Sequence, residues 1–238
     1  MSGRHVSSLD PHSRIIIAGQ KGTGSYQPVD YQWPQLASDM FGVADAMGAS
    51  RFIAGGASMG CATAIYAALA APERIDALIL AIPPTAWETR AAQASVYDKM
   101  AQMVETDGLA SLLQLFRLRP LFPQFLLQAL PGLGEIGLRH MGALAPAMVS
   151  SLMRGAGASN LPAREMIATL SMPVLILAWP DDAVHPVSTA TELARLLPCA
   201  ELHIANTLDD VQAWPTLIRK FVDKLPAAGV QPRFTHPA

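Results

Sequence analysis

The sequence predicts an α/β fold, a doubly wound and mostly parallel sheet with a block of helices inserted between two of its strands. Three observations predict it. Short apolar runs alternate with helical patterns through residues 14–82 and again through 173–225; strand–helix alternation with short connections builds a parallel sheet covered on both faces. Between these stretches, from Thr85 to about Ala168, strand signals vanish and helical periodicity takes over. Finally, Gly56-Ala57-Ser58-Met59-Gly60 reads G-x-S-x-G and falls between an apolar run and an Ala-rich helical run, the context in which such a turn holds its serine above a sheet edge.

The elements follow in order. Arg14-Ile15-Ile16-Ile17-Ala18 is a continuous β-branched run, as expected of a strand buried on both faces. Gly19 to Ser25 reads as a glycine-bearing loop. Leu36, Met40, Val43, Ala44 and Met47 recur at helical spacing, and Gly48 is placed to stop that helix. A strand over 51–55 leads into the serine turn, a helix over 61–71 follows, and Pro72 ends it. Ile75 to Ile82 is another buried strand, closed by Pro83-Pro84. Helices are expected near 87–106, 108–117, 123–130, 136–153 and 162–169, broken by Pro120, Pro123, Pro131 and the Gly155-Ala156-Gly157 stretch. Strands return at 173–178 and 201–205, with a helix from Pro186 to Leu197 between them. Trp214, Leu217, Ile218, Phe221 and Leu225 line one face of a last helix.

These elements divide the chain into a core, residues 1–84 and 169–238, and an inserted helical block, residues 85–168. The block leaves the sheet at the carboxyl ends of the strands, where sites in such sheets lie, so it is expected to act as a lid. Its methionines (Met100, Met103, Met141, Met148 and Met153) fit either an adaptable apolar surface or plain helix packing.

Length and composition bound the function. A chain of 238 residues, 51% hydrophobic and 15% charged, suits one α/β domain with an insertion. A formal net charge of −2 offers no basic field for nucleic acid or an anionic membrane. No apolar run approaches the ~20 residues of a membrane span, and the first fourteen residues hold no signal-like apolar stretch. Two cysteines, Cys61 and Cys199, are too few for a disulfide framework. The six histidines are scattered and pair with neither cysteine at ligand spacing. A cytoplasmic protein without a metal or other cofactor is the expectation. The oligomeric state is left open.

Ser58 is the candidate nucleophile. Small residues at Gly56 and Gly60 let the chain pass close to itself, and the following helix aims its N-terminal N–H groups at the serine. In the same region of the chain, Gly22-Thr23-Gly24-Ser25, Ala46-Met47-Gly48-Ala49 and Ala71-Pro72-Glu73-Arg74-Ile75 flank the turn. Farther on, the apolar run Pro173 to Ala178 is followed by Trp179-Pro180-Asp181-Asp182-Ala183-Val184-His185-Pro186.

Together these segments resemble the α/β-hydrolase superfamily, in its serine-nucleophile esterase and lipase-like branch, over most of residues 13–225. The resemblance implies an acyl-enzyme mechanism in which a histidine takes the serine proton and an acid orients that histidine. An aspartate four residues before a proline matches the acid, which is Asp182; a slip of one residue gives Asp181. The backbone N–H of Met59 matches an oxyanion donor. A serine at position 58 argues against the aspartate-nucleophile branches. Trp87, just beyond Pro83-Pro84, is a candidate for lining the pocket entrance, with core packing as the other reading.

The chain departs from the family pattern twice. The family's histidine follows the last strand, but Asn206 to Trp214 contains none. His185 in the acid loop and His203 in the last strand are the candidate bases, and the absence of any histidine base is the third reading; His5, His12, His140 and His236 are remote. Second, the family carries a strand ending in His-Gly before the segment matching 14–18, and that strand supplies the second oxyanion donor. Either Met1 is not the natural start, or strand 14–18 takes the vacant place and Gly19-Gln20 supply the oxyanion loop.

The expected function is a serine hydrolase acting on a small, largely apolar carboxylic ester, thioester or lactone. The alternatives are a catalytically weak or inactive ligand-binding or interaction protein on the same fold, and an acyltransferase using the same residues. Asp209-Asp210 reads as a cap of the last helix.

Overall fold

A computed structural model describes residues 27–225. The readings made above for the first strand, the glycine-bearing loop, Gly19-Gln20, His5, His12 and His236 lie outside those residues.

Four strands form one parallel sheet in sequence order: β1 (Phe52–Ala57), β2 (Ile75–Ala81), β3 (Val174–Ala178) and β4 (Ala200–Ile204). Alternate side chains of the central strands go to opposite faces. Leu78, Leu80, Val174, Ile176 and Ala178 join the cluster that holds Ala54, Cys61, Ile65 and Leu193, beneath α1 (Trp33–Ala46), α2 (Met59–Ala70) and α9 (Val187–Leu196). Ala77, Leu175 and Leu177 join Phe221, Trp214 and Leu217 of α10 (Leu208–Asp223) on the other face. Both faces of β3 are therefore dry, which is why 174–178 reads as an unbroken apolar run rather than an alternating one. The doubly wound parallel sheet expected from the sequence is the one observed.

Between β2 and β3 the described chain is helical: α3 (Arg90–Asp107), α4 (Leu109–Leu118), α5 (Gln124–Ala129), α6 (Leu133–Gly142), α7 (Pro146–Gly157) and the short α8 (Arg164–Ile167). This block has its own apolar cluster, with Ala101, Val104, Leu112, Phe116, Leu138, Val149 and Met153 at its centre. Met100, Met103 and Met141 pack against that cluster and Met148 is buried, so the methionines serve internal packing. Two expectations need correction. The single helix over 136–153 is two, because Pro146 lacks the N–H that a helix interior needs and instead opens α7. The Gly155-Ala156-Gly157 stretch forms the last turn of α7, and the break follows it. At Gly155 a Cβ would stand 2.6 Å from the Pro28 carbonyl oxygen, so this glycine lets α7 lie against the turn at Pro28–Tyr31.

Arg90 ties the two ends of the block to each other and packs them against Trp33 of the core. It is 3% exposed. Its Nε donates to Ser159 O at 2.7 Å, Nη1 donates to the Thr85 hydroxyl at 3.2 Å, and Nη2 donates to Ala156 O. The guanidinium stands 4.4 Å from the Trp33 ring centroid and 5.4 Å from that of Tyr97. A buried cation is tolerated when hydrogen bonds and aromatic faces replace its water.

Last, α10 starts with a capping box. Thr207 Oγ1 accepts from Asp210 N–H, and the Asp210 carboxylate accepts from Thr207 N–H. The capping role expected of Asp209-Asp210 thus falls to Asp210.

Candidate active site

The site is assembled at the carboxyl ends of β1 and β3. Strand β1 runs straight into Ser58, whose φ of 54° and ψ of −114° lie outside the regions L-residues favour. The turn is held from several sides. Ser58 N–H donates to Ala81 O at 3.0 Å, and Cys61 N–H donates to Ser58 O at 2.9 Å. The buried Cys61 thiol lies 3.0 Å from Ala81 O and 3.2 Å from Gly56 O, and burial pushes that thiol's pKa well up, so it stays a neutral donor. At Gly56 a Cβ would come within 2.9 Å of Gly60 Cα, whereas one at Gly60 would meet nothing within 4 Å. The crowding expected at both glycines thus demands Gly56, with Gly60 as the neighbour it passes. Met59 is the first residue of α2, and first-turn N–H groups have no partner within their helix.

The loop after β3 carries the rest. Asp181, at φ 61°, turns the chain so that Asp182 folds back under its own loop. The Asp182 side chain is 5% exposed and that of His185 14%. Asp182 Oδ1 accepts from Val184 N–H at 3.0 Å and His185 N–H at 3.1 Å. Oδ2 accepts from Trp179 Nε1–H at 2.9 Å and from His185 Nδ1 at 2.8 Å. An ionised carboxylate only accepts, so Nδ1 carries the proton and Nε2 is the acceptor in the neutral ring. That Nε2 lies 2.8 Å from Ser58 Oγ. Burial pushes the Asp182 pKa up, but the hydrogen bond and charge of His185, with the N–H groups of Trp179 and Val184, outweigh it and hold the carboxyl below its ordinary value. The loop is fastened in turn to the segment after β2, where Thr85 N–H donates to Val184 O at 2.9 Å, while Ile82 N–H donates to Leu177 O of β3 at 2.6 Å.

Four non-glycine residues among those described have positive φ: Ser58, Ile82, Trp87 and Asp181. Two belong to the site itself and two to the segment that leads from β2 toward α3, and such strain persists only where surrounding contacts over-determine it.

The remaining candidates are placed elsewhere. His203 is on β4, 4.0 Å from Glu201 and beside Asp210 and Trp214 in a shallow pocket. His140 is exposed on α6. Trp87 is committed to the base of the helical block: its Nε1 donates to Pro162 O at 3.0 Å, its backbone N–H to Asn160 at 2.9 Å, and the Arg164 guanidinium stands 4.3 Å from its ring centroid. Those contacts favour its packing reading over a place at the pocket entrance. Asp181 is exposed, which leaves Asp182 as the aspartate that meets a histidine. Trp179 was not singled out from the sequence, although an aromatic donor directly after an apolar strand and three residues before an acid is a readable signal.

Among the described residues no group of three or more His, Cys, Asp or Glu side chains is placed to hold a metal ion. No helix among them is long and apolar enough to cross a membrane.

Comparison with known proteins agrees with this architecture. The family model described as alpha/beta hydrolase fold matches residues 18–215. The solved structures that resemble the chain include a thermophilic esterase from Thermogutta terrifontis (TM-score 0.69, 20% identity, 81% of this chain and 72% of that one). They also include the enol-lactonase from Burkholderia xenovorans LB400 (TM-score 0.71, 19% identity, 83% and 75%) and MenH from S. aureus (TM-score 0.68, 21% identity, 81% and 76%). No curated protein matches the chain. With a parallel sheet in this order, a serine on a strained strand-to-helix turn and a family match across most of its length, the chain belongs to the α/β-hydrolase fold family.

Proposed function

We propose that the protein is a serine hydrolase that cleaves a small, largely apolar carboxylic ester, thioester or lactone through an acyl-enzyme. The observation that carries this reading is the unbroken relay from Asp182 through His185 to Ser58, each link 2.8 Å long. In this mechanism Ser58 Oγ attacks the acyl carbonyl as His185 Nε2 takes its proton, and Asp182 stabilises the imidazolium that forms. The tetrahedral oxyanion accepts from Met59 N–H, a donor whose loss costs ~3 kcal/mol in well-studied enzymes. The tetrahedral intermediate then collapses, His185 returns the proton to the leaving alkoxide or thiolate, and Ser58 keeps the acyl group. Water, deprotonated by the same Nε2, attacks the acyl-serine; acid is released and Ser58 regains its hydrogen.

The substrate class is supported by the esterase and enol-lactonase among the similar structures, and we read the helical block between β2 and β3 as a lid. Transfer of the acyl group to an acceptor other than water would use the same residues. A binding protein without turnover was suggested by the histidine-free loop after β4, and the hydrogen-bonded His185 weighs against it.

A turnover panel of short-chain p-nitrophenyl esters, an acyl thioester and a γ-lactone tests the reading. At least one member should be hydrolysed, and Ser58→Ala should lower kcat by at least about a thousandfold. Equal rates for wild type and Ser58→Ala would sink the proposal.

A further inference from the structure

Trp179 occupies an unusual position for a tryptophan. It directly follows β3, is 8% exposed, and turns its indole back onto the loop it begins. Its Nε1–H donates to Asp182 Oδ2, the same oxygen that accepts from His185 Nδ1. Its ring is stacked on that of Trp214 from α10, with centroids 5.4 Å apart and planes at 17°. Trp214 is in turn packed against the cluster of Leu175, Leu177 and Phe221 beneath the sheet.

The consequence is mechanical. A carboxylate can rotate about its terminal bond at little cost, and an acid that rotates no longer fixes its histidine. The two backbone N–H groups of Val184 and His185 occupy one oxygen of Asp182. The indole N–H occupies the far side of the other and leaves one direction open, toward His185 Nδ1. Acid, base and the donor that aims the acid all lie within residues 179–185, and the last helix contributes an aromatic wall behind them.

We propose that Trp179 is a positioning residue for the acid–base pair, with its N–H aiming Asp182 and Trp214 holding the plane of its indole. This rests on the proposed reading of Ser58, His185 and Asp182. The titratable and charged groups about Asp182 are His185 and the exposed Asp181 on its own loop and Tyr97 from α3, the last held near Arg90; they are unchanged in the variants below.

The test compares wild type with Trp179→Phe, which keeps a ring for stacking and loses the donor, and with Trp214→Ala. Three quantities are read: kcat and KM on the ester that turns over, the rate at which a fluorophosphonate labels Ser58, and the Asp182 carboxyl titration followed by carbon NMR. Trp179→Phe should lower kcat and labelling rate about tenfold with KM within about twofold, and should raise the Asp182 midpoint by about half a pH unit. Trp214→Ala should move each quantity the same way by less. Wild-type kcat and an unmoved Asp182 midpoint in Trp179→Phe would overturn the proposal, as would loss of kcat with an unmoved midpoint and a fall in melting temperature, the signature of a merely structural ring. A wild-type protein that neither labels nor turns over removes the catalytic reading alone, and the carboxyl midpoint then decides on Trp179. If Trp179→Phe does not fold, the wild-type indole proton decides: protected from exchange and shifted from its free position if the bond is made, exchanging freely if it is not.

Discussion

Asp182 draws four hydrogen-bond donors from the chain on either side of it, and its ionised form is correspondingly favoured over that of a free aspartate. The sign of the pH dependence follows. A carboxyl with a depressed folded pKa contributes stability that is complete above its unfolded value, near 4, and is lost as pH falls through the folded value. The urea stability of wild type over Asp182→Asn should therefore be greatest near neutrality and shrink below about pH 4; a difference that grows on acidification would contradict it. At this scale the sequence was readable where a motif or the family's register fixes spacing. Ser58 stands in a five-residue motif and Asp182 at a set distance before Pro186. The base was not decided, because sequence order gives His185 and His203 but no reach. What separates them is the backbone reversal at Asp181, which returns His185 to Asp182 only three residues on. The position of Trp179 was readable, but its bond to Asp182 was not, since the indole reaches the carboxylate only by folding back.

At the scale of elements, strands were the clearest because burial on both faces leaves them almost without polar residues, as in Val174–Ala178. Helix ends were less clear. The break before Pro146 was missed because apolar residues keep helical spacing on both sides of it. Gly155 reads locally as a breaker, because its close approach to Pro28 leaves no trace in the neighbouring sequence. The tie at the foot of the helical block was invisible, since Arg90 in Glu88-Thr89-Arg90-Ala91 gives no sign of the distant carbonyls that it meets. Replacing Arg90 with Met should take the guanidinium donor from the Ser159 carbonyl, leave Ala156 O with the Ser159 N–H alone, and cost about 2 kcal/mol in urea unfolding; Arg90→Lys, which cannot span the three acceptors, should recover little. Unchanged stability in Arg90→Met would show that the guanidinium merely fills space.

For the molecule as a whole, the order β1-β2-β3-β4 puts Ser58 and the acid–base loop two strands apart at the same edge of the sheet. Parallel strands make this inevitable, since every strand ends on the same side. The fold was therefore legible from alternation and the serine motif together, whereas the route by which the base arrives was not. In the proposed mechanism acid and base share the loop after β3, while the loop after β4 is given to the capping of α10. The most direct measurement is the rate of fluorophosphonate labelling at Ser58 in His185→Ala and His203→Ala, with Ser58→Ala as the blank. His185→Ala should label about a hundredfold more slowly than wild type, and His203→Ala at the wild-type rate. Wild-type labelling in His185→Ala, or loss of labelling in His203→Ala, would contradict a base carried on the acid's own loop.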